Sequence, residues 1–582
     1  MNFKALAACS VCYEGLMSKP VPKKHRVPNF WRRLGLQVGT LVLVLAVLGL
    51  VGYKVYSAWT VSHLLQQART YLDQGNYRSA IFVARNVLNL RPANREAAEI
   101  AAEAAEKDHN LDALGWRQFI VQLSPNDVDA ALKSARTAIR FGEFPTAEAA
   151  LLAIPEKARQ TGDYQQMAAG VKIGLGKPLE AGPFFAEAVK LEPKNPMHRF
   201  NEANWALEFD ANADRRRAAE ATMNELVALP EYSARAHRGL LNVAVQQRDW
   251  KTVLTHAEAL THGAEPHPVD WVRELDALAV LQDPRLEAEL ARAQVAAKDP
   301  LTVVAVAHWM QIHGRVEAAN SWTATLDEKL AGDSNVAATI AEGLDAAGQW
   351  KPLQQLTDAG NWKDKDALRA AYGAHARKQL GDLEGASSSW LRAQASVHTP
   401  EIAEQIMLRT AKWGWRTETA DMLWSLAEGP HYAWALGALD RFYRTGHDTG
   451  GMLRVARALV QKNSANEAAQ NNVAALSLLL DRDIEKSAQL AADLYERHPQ
   501  NAGIVSTHAL GLFKRGRAAE ALKILETCKP EELRHPAVAA TYGVLLAAAK
   551  RPEAREILEI AAKAPLLPEE KALVAKALVA AP

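Results

Sequence analysis

A spacing of 33 or 34 residues recurs along this chain and restricts its fold more than any other feature. A glycine is followed two places later by an aromatic or apolar residue and, in most copies, five places later by a small one. The first copy shows this with Gly75, Tyr77 and Ala80, and Pro92 closes it. The glycine returns at Gly142, Gly176, Gly314, Gly348 and Gly381. Self-similarity at this period predicts an array of repeated helical units rather than one compact domain.

The residue types at these places suit a hairpin of two antiparallel helices. Small residues such as Ala68 and Ala80 let the two helices approach closely, and Ala509 with Ala521 repeats the arrangement later in the chain. The glycine ends the first helix without a steric penalty from a Cβ atom, and the proline stops the second helix. Hydrophobic residues make up 48% of the chain and alanine is abundant, a composition that favours helices. We therefore predict an all-α chain.

The repeat resembles that of the tetratricopeptide repeat family, whose 34-residue unit is a helix-turn-helix. The resemblance covers residues 61–566 and implies about fifteen helical pairs in a right-handed superhelical solenoid. Residues 567–582 are expected to form a capping helix that shields the last hairpin. The stretches 265–299 and 400–431 match the pattern poorly, so we expect the solenoid to be kinked there. A different fold in either stretch is the alternative that would leave room for an enzyme.

An uncharged apolar run precedes the repeats. Residues 34–53, LGLQVGTLVLVLAVLGLVGY, would span roughly 30 Å as a helix, which is the thickness of a bilayer's hydrocarbon core. Side chains that favour the membrane interface flank the run; they are Trp31, Arg32, Arg33, Tyr53 and Trp59. The sequence therefore predicts one transmembrane helix in contact with the lipid bilayer. A buried core helix is the alternative.

Charge is distributed unevenly about this run. Residues 1–33 carry seven Lys or Arg and one Glu, whereas the rest of the chain carries 61 basic and 66 acidic side chains. Cations resist transfer across a membrane, so we expect a cytoplasmic tail over 1–33, a linker over 54–60 and a solenoid exported to the bacterial periplasm. Val55-Tyr56-Ser57 is a poor cleavage site, which favours an uncleaved signal-anchor in the inner membrane. A mildly acidic body argues against nucleic acid as a partner.

No stretch carries a complete signature for catalysis, a cofactor or a metal. The sequence 174–182, GLGKPLEAG, resembles a phosphate loop, but Val171 stands where the loop needs its first glycine. The sequence 210–221 begins like a calcium loop, but Arg215 replaces the glycine of the sharp turn. The CxxC at 9–12 is half a zinc site at most. We therefore expect a protein that is not an enzyme and has no cofactor.

A binding surface is the remaining possibility. In the tetratricopeptide family the first helix of each unit lines the concave groove, and the resemblance implies which places face inward. The polar residues at those places on three units are Lys133, Arg136, Arg140, Asn201, Asn204, Arg235, Arg238 and Asn242. Arginines and carboxamides suit the backbone or a carboxylate of an extended peptide. A solvated groove with scattered polar side chains is the alternative.

These features together predict a membrane-tethered scaffold that binds other proteins during assembly of an envelope complex. The alternative function is a component of a machine that synthesises or exports polysaccharide, with a glycan as the possible partner. Tryptophan rings would then stack on sugars; the candidates are Trp205, Trp250, Trp309 and Trp350. The repeat places of Trp250 and Trp350 favour core packing instead. Solvent exposure of these rings distinguishes the two roles.

Overall fold

The computed structural model describes residues 52–582, apart from the side chain at position 537, and this part of the chain consists of helices and the turns between them. Within these residues fifteen helical pairs follow one another, two four-residue helices, Glu328–Ala331 and Pro530–Leu533, lie between pairs, and a single helix comes last. Residues 34–51 of the predicted membrane span lie outside the described residues, so the span stays a prediction. Over residues 52–582, no helix combines the length and the apolar character that crossing a bilayer requires.

The chain divides into two compact units, and the first ends at Thr252. Two short 3-10 turns, Glu156–Arg159 and Pro178–Glu180, interrupt its connections. Its helices are α1 (52–73), α2 (Tyr77–Leu90), α3 (Arg95–Lys107), α4 (Asp112–Leu123), α5 (Val128–Arg140), α6 (Phe144–Leu152), α7 (Gly162–Gly174), α8 (Gly182–Leu191), α9 (Pro196–Phe209), α10 (Ala213–Leu226) and α11 (Pro230–Gln247).

A 3-10 turn, Lys363–Lys365, lies in one connection of the second unit. The first helix of this unit is α12 (Trp250–Thr261), within which the unit begins at Val253. The others are α13 (Pro268–Leu281), α14 (Leu286–Ala296), α15 (Pro300–Ile312), α16 (Val316–Thr323), α17 (Glu328–Ala331), α18 (Ser334–Ala346), α19 (Trp350–Ala359), α20 (Asp366–Gln379), α21 (Leu383–Ala395), α22 (Pro400–Trp413), α23 (Arg416–Ala427), α24 (Tyr432–Thr445), α25 (Thr449–Lys462), α26 (Glu467–Leu479), α27 (Ile484–Arg497), α28 (Ala502–Lys514), α29 (Ala518–Leu525), α30 (Pro530–Leu533), α31 (Pro536–Ala548), α32 (Ala554–Ala562) and α33 (Pro568–Ala580).

The turn inside almost every pair takes the same left-handed backbone conformation. The six turn glycines that the spacing predicts have φ between 66° and 85°, where a Cβ atom would crowd the following carbonyl oxygen. That prediction is confirmed. Six further pairs hold a residue other than glycine at φ between 52° and 58°; these residues are His109, Arg248, Gln282, His447, Asp481 and Lys550. The hairpin geometry therefore persists where the glycine signal is lost.

The two stretches that match the repeat poorly are ordinary helical pairs. Residues 265–299 contain α13 and α14, and residues 400–431 contain α22 and α23. The alternative of a different fold in either stretch is therefore wrong. In the first stretch an ion pair joins the two helices, with Arg292 Nη2 2.8 Å from Oε1 of the buried Glu274. The residue types differ from the repeat there, but the backbone does not.

Small side chains hold the hairpins together, as the spacing predicts. The facing residues Ala68 and Ala80 of the first hairpin are completely buried, and so are Ala509 and Ala521. With only a methyl group on each side, the two helices of a pair can pack closely and exclude water between them. Within each of the two units, neighbouring hairpins bury further apolar side chains against one another, as expected of a repeat array.

Candidate functional site

The eight polar residues predicted to line a groove lie on helices α5, α9 and α11 of the first unit. All are exposed or half-buried. Several of their charges already have acidic partners on the chain. Lys133 Nζ lies 2.8 Å from Asp129 Oδ2, one helical turn away, and Arg136 Nη2 lies 4.0 Å from Asp163 Oδ2. This face, which we call the α5–α11 face, is an accessible row of polar side chains with partly neutralised cations.

A buried ion pair lies close to this face. Arg117 donates two hydrogen bonds to the Glu106 carboxylate, at 2.6 and 3.0 Å, and Thr137 Oγ1 donates a third. Burial acts to raise the pKa of Glu106, but the hydrogen bonds from Arg117 and Thr137 outweigh it, and the pKa lies below its ordinary value. A carboxylate satisfied in this way joins three helices and has a structural role. The sequence analysis did not identify this pair.

The second unit contains a cavity of about 510 Å³ that the sequence analysis also missed. Helices α24, α25, α26, α28, α31 and α33 surround it. Much of its wall is apolar, and the larger side chains include Met452, Leu476, Leu510, Phe513, Leu545 and Leu573. Polar side chains interrupt this wall; they include Arg444, Asn471, Asn472, Ser506, Thr507 and Thr541. The cavity thus combines an apolar surface with several hydrogen-bonding groups.

Helical spacing explains why each helix presents both kinds of side chain to the cavity. Residues three or four apart lie on one side of a helix. On α28, Ser506 and Thr507 are followed by Leu510, and on α31, Thr541 is followed by Val544 and Leu545. Each first helix of these hairpins therefore contributes a polar group and an apolar group to the same wall.

The last helix, α33, closes one side of the cavity. Leu566 and Leu567, just before it, are buried, and Val574 within it is only 2% exposed. The hydroxyl of Thr449 donates a hydrogen bond to Glu569 Oε2, across a separation of 120 positions in the chain. The predicted capping helix therefore packs on the last hairpin and also reaches α25, which begins at Thr449.

Two polar groups at this cavity are poorly satisfied. Burial raises the pKa of the Glu570 carboxyl, against the hydrogen bond from the Leu567 amide; the neighbouring Glu569 adds to the increase and Arg444 opposes it. Arg444 is shared with Asp440, 3.0 Å away. The buried Oδ1 atom of Asn471 accepts no hydrogen bond from the described residues. Buried polar atoms are normally paired, so the Asn471 carboxamide is an unusual feature of this wall.

A second polar cluster of the same unit is packed shut. Asp345 accepts hydrogen bonds from His375 Nδ1 at 2.6 Å and from Trp413 Nε1 at 2.9 Å, and the His375 and Trp413 rings are stacked. Arg409 donates to the hydroxyl of Tyr372, whose pKa is raised by burial. These groups bond to one another and are buried or half-buried. Across residues 52–582, no group of three His, Cys, Asp or Glu side chains has the arrangement of a metal site.

The tryptophans considered for sugar stacking belong mainly to the core. Trp205 is 7% exposed and donates to the Pro178 carbonyl, and Trp309 is 1% exposed and donates to Asp276. Trp250 and Trp350 are half-buried. Because a buried ring cannot stack on a sugar, Trp205 and Trp309 have no role in binding glycan.

The predicted membrane-interface residues fall into two groups. Trp31, Arg32 and Arg33 lie outside the described residues. Tyr53 and Trp59 lie on α1, where they are 71% and 63% exposed. Both rings are therefore accessible on the surface of α1.

The sequence matches no protein-family model and no curated protein. Among solved structures, the chain is similar to one from the APC/C hetero-tetramer Cut9–Hcn1, with 12% identity, a TM-score of 0.28, and coverage of 80% of this chain and 96% of that one. It is also similar to PilF of Pseudomonas aeruginosa, with 11% identity, a TM-score of 0.26, and coverage of 42% of this chain and 96% of that one. At these TM-scores the likeness bears on neither mechanism nor partner.

Proposed function

We propose that this chain is a non-enzymatic scaffold of tetratricopeptide type, and that a segment of another protein binds at the cavity between α24 and α33. The cavity is the observation that carries this proposal. Its volume of about 510 Å³ falls within the range of roughly 300–1,000 Å³ found for ligand sites. Its leucine-rich wall suits apolar side chains, and its carboxamides and hydroxyls suit peptide groups.

The order of the polar groups favours a peptide over a compact small molecule. Asn471 and Asn472 lie on α26, Ser506 and Thr507 on α28, and Thr541 on α31. Packed helices lie about 8–10 Å apart, and an extended chain advances about 3.3 Å per residue. Polar groups on successive helices therefore match every third residue of an extended segment.

The α5–α11 face is proposed as a second contact surface. Its arginines are exposed or half-buried, and planar guanidinium groups suit carboxylates through paired hydrogen bonds. Arg136 and Arg235 are both exposed there. We assign this face to an acidic segment of the partner, and its contribution depends on salt concentration because exposed charges are screened.

The membrane anchor and the envelope role belong to the same proposal. The uncharged run 34–53 and the basic stretch 1–33 support a single-pass anchor with a cytoplasmic tail and an exported array. The exposed aromatic residues Tyr53, Tyr56 and Trp59 on α1 are consistent with a helix that leaves the membrane at that point. In this arrangement the anchor holds the array beside other envelope proteins during their assembly.

Site-specific photo-cross-linking in cells tests the cavity. A photoreactive amino acid replaces the exposed residue Asn472, and the control position is Leu391, which is 61% exposed on α21 of the same unit. We expect one defined protein to be cross-linked from position 472 and not from 391, and we expect Ala475→Trp, which fills the cavity, to abolish the product. Equal products from both positions, or none from 472, would contradict the proposal.

Proximity labelling tests the anchor. A labelling enzyme that is active only in the periplasm is fused after Pro582 and expressed in intact cells. We expect a coherent set of envelope proteins to be labelled. Labelling of cytoplasmic proteins, obtained instead with a cytoplasm-active enzyme at the same position, would show that the array faces inward and that the predicted orientation is wrong.

A further inference from the structure

Helix α33 and the residues just before it form part of the cavity wall, together with the helices that carry the proposed peptide contacts. We propose that α33 is a removable cover, which occupies part of the partner's site and leaves when the partner binds. The partner's segment would share the chemistry of residues 566–574: two apolar residues, a proline, two acidic residues and, about one turn later, two more apolar residues. This inference rests on the proposed function of the cavity.

The reach of α33 distinguishes it from the other helices. Helices of a repeat array normally contact only neighbouring units. The hydrogen bond from Thr449 to Glu569 instead joins residues 120 positions apart. Leu567 packs into the same cluster as Met452 and Leu476. The last helix thus lies against earlier hairpins as a bound segment would, although it belongs to the chain.

The fit of this segment is incomplete, which favours reversible docking. The cavity beside α33 is partly open to solvent, and about 510 Å³ of it is left unfilled by this segment. Glu570 is held in a partly buried position, and the Oδ1 atom of Asn471 lacks a donor among the described residues. A partner segment that fills this space would make contacts with the apolar wall that α33 does not make.

The contacts of α33 also indicate the charge of the partner. Glu569 lies beside Thr449, the first residue of α25, and acidic groups are favoured at a helix N-terminus. Arg444 provides positive charge near Glu570. An acidic start followed by apolar residues therefore suits this site, and a basic segment does not.

A bridging experiment on the full chain tests the cover. Thr449 and Glu569 are replaced by cysteine after the three native cysteines are changed to serine. One sample is treated with a short bifunctional thiol reagent, which holds α33 in place, and the other with a monofunctional reagent of the same chemistry. The probe is a fluorescent synthetic peptide of residues 562–582. We expect the bridged protein to bind it at least tenfold more weakly; equal binding would overturn the inference.

A second pair of variants releases the cover without chemical treatment. Val574 is 2% exposed and Val579 is 90% exposed on the same helix, so Val574→Asp should undock α33 and Val579→Asp should not. We expect Val574→Asp to bind the probe at least tenfold more tightly than Val579→Asp. A probe carrying the Glu569→Lys change should bind neither. Equal affinity of the two variants would overturn the inference.

The outcomes separate the two proposals. If the cross-linked partner binds the bridged and unbridged proteins equally, the cover is wrong and the proposed function stands. If no cross-link forms from position 472, even in the Val574→Asp protein, the proposed function is wrong whatever the peptide does.

Discussion

The α5–α11 face of the first unit and the cavity of the second are both lined mainly by the first helices of hairpins, yet they differ in what covers them. On the α5–α11 face, side chains such as Arg136 and Arg235 are exposed, and acidic partners lie on the same surface. In the second unit, α33 returns onto the equivalent helices and leaves a largely apolar cavity beneath it. The repeat therefore determines which residues are presented, and a non-repeating segment determines which of them are covered.

Val574→Asp is expected to have the largest effect, because it disrupts the packing of α33 beside the cavity. A carboxylate in place of a buried valine, without a partner, costs several kcal/mol, of the order of 2–7 for a buried polar group. Helix α33 should therefore undock, and its amide hydrogen exchange should rise towards that of an exposed segment, while α5 on the other face is unchanged. Exchange measured by mass spectrometry checks this, with the exposed Val579→Asp as control. Unchanged protection of α33 would show that Val574 does not hold it.

Filling the cavity is expected to have the next largest effect. Ala475 is half-buried and lines the cavity, so Ala475→Leu places apolar atoms where space exists. Each added methylene removed from water contributes about 0.8 kcal/mol, and with partial burial we expect a gain of about 1 kcal/mol in the opening free energy of α26. The matched change Ala234→Leu, at an exposed position of α11, should stay within about 0.5 kcal/mol. Equal effects would mean that the cavity does not accept the side chain.

The hairpins were predictable from the sequence, but the cover was not. Residue spacing is local information, so Gly75 and its counterparts reveal the turns, and Ala68 with Ala80 reveals the close approach of helices. At Gln282 and Lys550 the same backbone is held by residues without that signal. Tertiary packing overrides the local preference there.

Long-range pairings carry no local signal either. Glu274 and Arg292 meet because the two helices of one hairpin pack together, and Thr449 and Glu569 meet because α33 returns onto an earlier hairpin. The cavity depends on the path of α33, and no short pattern encodes that path. The groove places derived from the family identified exposed residues on α5, α9 and α11, but they gave no indication of a covered site elsewhere.

A pH dependence should distinguish the covered region from the open one. In the docked state burial raises the pKa of the Glu570 carboxyl above its ordinary value of 4.5. At pH values just above 4.5 the docked helix therefore keeps this proton, whereas the undocked helix has lost it. Docking of α33 is therefore strongest below this range and weakens as the pH rises through it. Glu569, Asp440 and Arg444 are nearby charged groups, and His447 and His535 also line the cavity.

Hydrogen exchange of α33 at pH 5 and 7.5, corrected for the intrinsic exchange rate, measures this dependence. Glu570→Gln is the matched variant, because an amide does not titrate. We expect the stability of docking to fall between the two values in the parent protein and to fall less in the variant. An identical change in both would show that Glu570 is not the source of the dependence.

The smallest effect on stability is expected on the α5–α11 face. The Lys133–Asp129 and Arg136–Asp163 pairs are exposed to solvent, and such pairs contribute about 0–1 kcal/mol. Lys133→Ala and Arg136→Ala should each change the free energy of unfolding by less than about 0.5 kcal/mol, as measured by denaturant titration of the first unit's signal. If this face binds an acidic segment, the double variant should nevertheless weaken partner binding at low salt and reduce its dependence on salt concentration. A loss of stability without a change in that salt dependence would instead give these cations a structural role. The α5–α11 face would then be a structural surface, unlike the cavity of the second unit, which is proposed to bind a partner.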